Sequence, residues 1–215
     1  MVKLTIALTK GNLLAPSLEL LKKVGINFPE LKGNSRKLVF YSEDGKYRAI
    51  LTRAIDNPTY VEYGAADIGI SGKDVIIEQA KEVFELLDLG IGKCKMVLAF
   101  PEEKMPIIKS KGLSSLIIGT KYPKIARDFF RKKGYQIDII KLYGSVELAP
   151  LVGLSDGIVD IVSTGKTLKE NGLKVYENIL DISARLISNV VSRRTKYKSL
   201  RDFEEKIREV LNNGD

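Results

Sequence analysis

Apolar and polar positions along the chain follow strand spacing and helix spacing in turn. A short apolar run at 3–8 predicts a first strand. Apolar residues at 14–24 recur every three or four positions and predict a helix that ends at a glycine. The stretches 37–42 and 47–53 alternate on either side of an acidic turn with glycine, which predicts a hairpin. The pattern at the amino terminus is therefore of mixed α/β type.

The same alternation continues to the end of the chain. Further strands are predicted at 65–72, 83–89, 94–100, 114–119, 136–142 and 157–163, and helices at 121–133 and 198–212. Strands that alternate with helices are typical of an α/β fold with mainly parallel sheets. Residues 92–175 contain a βαβαβ set of their own. We therefore expect a lobe I of 1–91 plus 176–215, a lobe II of 92–175, and a ligand cleft between the two lobes.

The composition excludes several kinds of catalytic and metal-binding site. The 215 residues include no histidine and one cysteine, Cys94. Triads and dyads that need histidine, histidine-ligated zinc and multi-cysteine metal clusters are excluded. The amino terminus lacks the features of a secretory signal, and no apolar run reaches the length of a membrane span. These observations predict a cytoplasmic protein that does not act at a membrane.

The formal net charge of +8 favours an anionic partner such as a nucleotide, a sugar phosphate or a nucleic acid. The basic residues are spread along the chain, although a basic run occurs at 193–201. Nucleic-acid binding proteins usually concentrate their charge with interleaved aromatic residues, and that pattern is absent from this sequence. Small phosphorylated ligands are the better expectation.

One segment, 156–168, has the pattern of a phosphate-binding site. A predicted strand ends at Val162, and a loop of hydroxyl residues and glycine then leads into a helix. Backbone N–H groups in such a loop bind phosphate, and hydroxyl groups add further donors. These loop residues are Ser163, Thr164, Gly165, Lys166 and Thr167. A P-loop needs glycine at position 160, where this chain has Asp160, so a P-loop NTPase is excluded. The alternative is an ordinary capped strand–loop–helix junction.

Other candidates follow predicted strands. Arg53 could offer a bidentate fork to phosphate, and Arg36 and Lys10-Gly11 also lie near strand ends. Asp67 and Asp74 lie in the glycine-rich stretch 64–74, and Glu147 lies in the first turn of a predicted short helix. Each of these residues has a purely structural alternative as a cap, a turn residue or a surface charge.

Taken together, these segments resemble the ATP phosphoribosyltransferase family. The resemblance covers nearly the whole chain and rests on Lys10-Gly11 and on residues 53–60, 64–74, 144–150 and 153–173. It implies a two-lobed α/β fold similar to the type II periplasmic binding proteins. It also implies the first reaction of histidine biosynthesis, in which N1 of ATP displaces pyrophosphate from phosphoribosyl pyrophosphate.

The resemblance also implies roles for the candidate residues. The stretch 160–168 would hold the 5-phosphate, with Asp160 near the ribose hydroxyls. Arg53 and Arg36 would be catalytic, because they neutralise phosphate and leaving-group charge. Residues that would line the ATP side of the cleft, with less defined roles, are Lys10, Gly11, Asp67, Asp74 and Glu147. Mg²⁺ would be held mainly by the substrate, with no dedicated metal ligands in the protein.

Two further points concern this chain within the family. Asn12 stands where family members often have arginine, so a phosphate contact is lost or supplied elsewhere. The length resembles that of the short form, which implies a homodimer that joins a hetero-octamer with a regulatory subunit similar to histidyl-tRNA synthetase. Two alternatives remain open from the residues alone: a non-catalytic binding module of the same fold, and a nucleic-acid binding protein.

Overall fold

The computed structural model describes residues 2–31 and 36–213 and divides the chain into two compact units. The first unit contains the residues up to Gly92 and those from Ser183 onward, and the second contains Lys93–Ile182. The chain therefore leaves the first unit once, builds the second, and returns to complete the first.

Strands in the described residues supply two sheets. Their bounds are β1 Leu4–Thr9, β2 Val39–Tyr41, β3 Tyr47–Thr52, β4 Ile68–Gly72, β5 Val83–Asp88, β6 Cys94–Pro101, β7 Leu116–Thr120, β8 Ile137–Lys141, β9 Gly157–Val162, β10 Leu173–Ile182 and β11 Ala184–Asn189. The first unit holds a sheet of order β2-β3-β1-β4-β11-β5, and the second a sheet of order β10-β6-β9-β7-β8.

Helices of varied length connect these strands. Their bounds are α1 Leu14–Lys23, α2 Asn57–Glu62, α3 Lys73–Gln79, α4 Met105–Lys111, α5 Pro123–Lys132, α6 Leu148–Leu151, α7 Lys166–Glu170, α8 Val190–Thr195 and α9 Tyr197–Asn212. Short 3₁₀ turns at Ala54–Asp56 and Glu102–Lys104 lead into α2 and α4. The predicted helices at 14–24, 121–133 and 198–212 match α1, α5 and α9.

The sheets are mixed, so the expectation of mainly parallel sheets is wrong. β1 pairs in parallel with β3 and β4, and β7 pairs in parallel with β8 and β9. The hairpin strand β2 and the returning strand β11 run antiparallel to their neighbours, as do β10 and β6 in the second sheet. Strands 173–182 and 184–189 were not predicted. The sequence of β10 does not show the alternation of apolar and polar residues expected of a strand. It is an edge strand with mostly partly buried or exposed residues and two irregularities in its register.

The core of the first unit forms between the sheet and the helices α1 and α9. All six residues of β1 are buried, since the strand lies between β3 and β4. The α9 residues Leu200, Phe203 and Ile207 recur on one face and pack into the same core, which confirms the amphipathic helix predicted at the carboxyl terminus.

The second unit has a separate core built from β6 and β9 with residues that flank the phosphate loop. Val97 and Ile158 pack there with Leu168 and Leu173. The expected end of lobe II at residue 175 falls inside β10, because this strand continues its pairing with β6 as far as Ile182. The compact unit consequently extends to the end of that strand.

Candidate active site

The carboxyl ends of three neighbouring strands in the second unit surround a pocket of about 300 Å³. β9, β7 and β8 are adjacent and parallel, so the loops after them meet at one edge of the sheet. These loops and the start of α7 supply its lining: Lys121, Ser145, Glu147, Asp160, Ile161, Val162, Ser163, Thr164, Gly165, Lys166, Thr167 and Leu168. The structure thus brings together the whole predicted phosphate segment and Glu147.

The loop after β9 presents unpaired backbone donors to this pocket. Gly165 has φ 77°, a conformation that favours glycine, and it turns the chain into α7. Within the described residues, the N–H groups of Thr164, Gly165 and Thr167 have no hydrogen-bond acceptor. The hydroxyl side chains of Ser163, Thr164 and Thr167 are exposed beside them. Because α7 has only five residues, these individual N–H and hydroxyl donors, and not a long helix dipole, provide the anion-binding character.

Lys166 differs from the rest of the loop. Its ammonium lies 3.8 Å from the Glu170 carboxylate, one turn along α7, and the side chain is largely exposed. This pairing directs its charge along the helix surface. For Lys166 we therefore expect the backbone N–H, and not the ammonium, to contact a bound phosphate.

The Asp160 carboxyl lies in the pocket, and its pKa is raised above the usual value. Burial raises the pKa of its carboxyl, and the nearby Glu147 carboxylate raises it further. The Ile161 N–H and the Lys121 ammonium lower the pKa of Asp160 and so favour its ionised form. A partly buried carboxylate with a fixed position can accept hydrogen bonds from sugar hydroxyls.

Two lining residues were missed in the sequence. Lys121 directly follows β7, so the rule that sites form at the carboxyl ends of parallel strands could have found it. Ser145 has φ 45°, which is rare for a residue other than glycine, in the loop after β8. Nothing in the sequence indicates that conformation.

A second group of candidates meets at one edge of the first unit's sheet. β1, β3 and β4 run parallel and end together, which places Lys10 and Gly11, Arg53 and Asp74 at that edge. The Lys10 N–H donates to the Thr52 carbonyl at 2.9 Å, directly before Arg53.

The side chains at this edge differ in exposure. Lys10 and Arg53 are exposed, whereas Asp74 is buried in the first turn of α3, with its carboxylate against Gly72. Arg36 is exposed and precedes β2, whose antiparallel pairing carries its start to the edge where β3 ends. Both arginines are therefore open to an anionic ligand.

Asp67 lies at the opposite edge of the sheet from Lys10 and Asp74, so the structure does not bring it together with the other candidates for the ATP side. It precedes β4, and only 4% of its surface is exposed. Its carboxylate accepts hydrogen bonds from the Thr5 N–H at 2.8 Å, the Ser192 hydroxyl at 2.6 Å and the Lys196 ammonium at 2.9 Å. All three contacts are within the first unit and hold β1, β4 and α8 together, so Asp67 is structural.

Comparison with known proteins identifies the family. The family model described as HisG: ATP phosphoribosyltransferase matches residues 53–211. The chain belongs to this family. An ATP phosphoribosyltransferase of Clostridium novyi is 51% identical over 215 residues, which cover 99% of this chain and 100% of that protein. One of Desulfitobacterium hafniense is 50% identical over 97% of this chain and 96% of its own. Enzymes of this family are pentosyltransferases that catalyse the first step of histidine biosynthesis.

Solved structures agree with this assignment and with the fold. The ATP phosphoribosyl transferase (HisG:HisZ) complex from Thermotoga maritima contains a chain that is 35% identical, with a TM-score of 0.81 over 99% of this chain and 100% of that chain. The periplasmic aliphatic sulphonate binding protein SsuA from Escherichia coli matches with a TM-score of 0.61 at 14% identity, over 97% of this chain and 68% of its own. The expected fold, an α/β chain of the periplasmic-binding-protein type, is confirmed.

Two carboxylates in the pocket could contact a hard metal ion, but they do not form a metal site by themselves. Asp160 and Glu147 provide carboxylate oxygens, the donor type that Mg²⁺ prefers. No cluster of three or more metal-ligating side chains occurs in residues 2–31 and 36–213. In the same ranges, no helix is long and apolar enough to cross a membrane.

Proposed function

We propose that this chain transfers the phosphoribosyl group of phosphoribosyl pyrophosphate to N1 of ATP and that the pocket after β9 binds the phosphoribosyl half. The observation that carries the assignment is the loop 163–167, whose free N–H and hydroxyl donors lie beside the partly buried Asp160 carboxylate. A phosphate needs several donors and a ribose needs an acceptor for its hydroxyls, and this pocket offers both within about 300 Å³.

The residues of this pocket orient the sugar for displacement. Ser163, Thr164, Gly165 and Thr167 hold the 5-phosphate through N–H and hydroxyl donors, together with the backbone of Lys166. Asp160 accepts from the ribose hydroxyls and fixes the ring. Its negative charge also favours the oxocarbenium-like transition state expected when a glycosidic bond at the anomeric carbon breaks. Glu147, on the same wall, is assigned to the ATP side of the reaction.

Arg53 and Arg36 are assigned to the departing pyrophosphate. Both are exposed at the same edge of the first unit's sheet, and a guanidinium can offer two parallel donors to phosphate oxygens. Lys10, Gly11 and Asp74 are assigned to ATP at that edge. The adenine N1 is already a nucleophile, so the absence of histidine does not impede the reaction.

Mg²⁺ is the proposed metal, bound mainly through substrate oxygens, with Asp160 and Glu147 as the nearest protein carboxylates in the pocket. When bound, it neutralises charge on pyrophosphate and makes it a better leaving group. The protein's own part is to hold the phosphoribosyl group and to place Arg53 and Arg36 on the leaving group.

For assembly, we propose a cytoplasmic homodimer that joins a hetero-octamer with a regulatory subunit similar to histidyl-tRNA synthetase. The support is the similarity to the HisG chain of a HisG:HisZ complex over nearly its whole length. Light scattering of the chain alone, and of the chain mixed with such a subunit, tests both stages of assembly.

The deciding experiment follows the ultraviolet absorbance of N1-ribosylated adenine with ATP, phosphoribosyl pyrophosphate, Mg²⁺ and pyrophosphatase. It is run with the chain alone and with the candidate regulatory subunit. Product that requires both substrates supports the proposal. Binding of phosphoribosyl pyrophosphate without product in either arm contradicts it and favours a binding module of the same fold.

A further inference from the structure

Lys121 occupies a fixed position next to Asp160. In the parallel pairing of β7 with β9, Thr120 is level with Val159, so Lys121, the first residue after β7, lies beside Asp160, which is still in β9. Thr120 is fully buried, and its hydroxyl donates to the Val159 carbonyl at 2.6 Å and accepts from the Tyr122 N–H at 2.9 Å. These bonds hold the backbone on both sides of Lys121.

The charge of Lys121 is available to a ligand. Throughout the described parts of the chain, no side chain forms an ion pair or hydrogen bond with its ammonium, although the residue is partly buried. The other lysine in the pocket lining, Lys166, is directed towards Glu170. The neighbouring Asp160 and Glu147 make the wall acidic, so Lys121 is the cation that offsets them before an anionic ligand enters.

We propose that Lys121 binds the 5-phosphate of phosphoribosyl pyrophosphate through its ammonium, together with the donors of loop 163–167 that line the same pocket. This inference rests on the proposed function, because it takes the pocket to be the phosphoribosyl site. The loop provides neutral N–H and hydroxyl donors, and Lys121 adds a charge-assisted hydrogen bond to phosphate. Such bonds are about twice as strong as neutral ones.

The experiment measures binding, so that it is independent of turnover. Phosphoribosyl pyrophosphate with Mg²⁺, and separately ribose 5-phosphate, are titrated calorimetrically into the wild-type chain and into Lys121→Met, Lys121→Arg and Lys169→Met. Lys169 is the matched control, because it is an exposed lysine of α7 outside the pocket lining and its loss changes the net charge equally.

For Lys121→Met we expect the dissociation constants of both ligands to rise about tenfold or more, as for loss of a hydrogen bond to a charged group. Lys121→Arg should recover most of the affinity, and Lys169→Met should change it less than about twofold, as for an exposed charge screened by salt.

Equal affinities for Lys121→Met and Lys169→Met would overturn the inference, as would a loss confined to phosphoribosyl pyrophosphate with ribose 5-phosphate unaffected. Failure of the wild type to bind either ligand would also overturn it, together with the assignment of the pocket. Wild-type binding without product in the coupled assay contradicts only the transferase proposal, and the binding ratios still decide the role of Lys121. Thermal denaturation of each variant identifies any change that comes from unfolding.

Discussion

Replacement of Asp67 by alanine should destabilise the first unit and leave substrate binding unchanged. The variant removes the acceptor for Thr5, Ser192 and Lys196. The first two donors are buried, and each costs about 1 to 3 kcal/mol when left without a partner. The lysine side chain is 42% exposed, so its contribution is at most about 1 kcal/mol. The expected loss in the free energy of unfolding is about 3 to 5 kcal/mol, near the upper end for single substitutions.

Urea denaturation followed by circular dichroism measures this loss, and calorimetry measures ATP and phosphoribosyl pyrophosphate binding at low temperature. Lys196→Met is the matched comparison, because it removes the exposed part of the network and keeps the two buried bonds. It should cost less than about 1 kcal/mol. The double variant should be less destabilised than the sum of the single ones, because the two residues are in contact.

A different pair of results would refute this reasoning. If Asp67→Ala retained wild-type stability while its affinity for ATP fell severalfold, the carboxylate would be a ligand and its three contacts would be incidental. A loss of more than about 3 kcal/mol in Lys196→Met would instead show that the ion pair is the dominant part of the network.

Three other predictions concern the pocket, the leaving group and the second core. Asp160→Asn should weaken phosphoribosyl pyrophosphate binding about tenfold. In the wild type the raised pKa of this carboxyl lets it protonate at a higher pH than an ordinary aspartate, so affinity is lost as the pH falls. The asparagine variant should not show this loss. Calorimetry at several pH values measures both the affinity and its pH dependence. Arg53→Ala should lower kcat about a hundredfold with little change in phosphoribosyl pyrophosphate affinity, as for loss of one group that stabilises developing charge, and steady-state kinetics with direct binding separates the two. Gly157→Ala should cost about 1 to 3 kcal/mol in thermal denaturation, because its Cβ would lie 2.4 Å from the Phe100 ring, whereas Gly144→Ala, which faces open space, should not.

Most residues that line the pocket after β9 could be predicted together because they are contiguous in the sequence. Loop 163–167 and Asp160 lie within eight positions, and a strand that ends in hydroxyl residues and glycine has few other uses. Lys121 reaches the same pocket through the pairing of β7 with β9, so no contiguous motif includes it, and only the position at the end of a predicted strand could have indicated it.

The position and partners of Asp67 could not be predicted from its neighbours in the sequence. Its place in a glycine-rich stretch beside Asp74 suggested a ligand, but the two carboxylates lie at opposite ends of β4. Its partner Ser192 is far along the chain, so its burial could not be inferred from its neighbours. The strands 173–182 and 184–189 were missed for a related reason, since pairing partners and not their own alternation define them.

The interrupted course of the first unit constrains how the chain can fold as it is synthesised. In the described sheet β5 has β11 as its neighbour, and β11 is synthesised only after the whole of Lys93–Ile182. The second unit contains all five strands of its own sheet and can fold while β4 and β5 still lack β11, the strand that lies between them. A chain truncated after Ile182 should therefore carry a protease-resistant second unit attached to an incomplete first one, a state in which exposed strand edges favour aggregation.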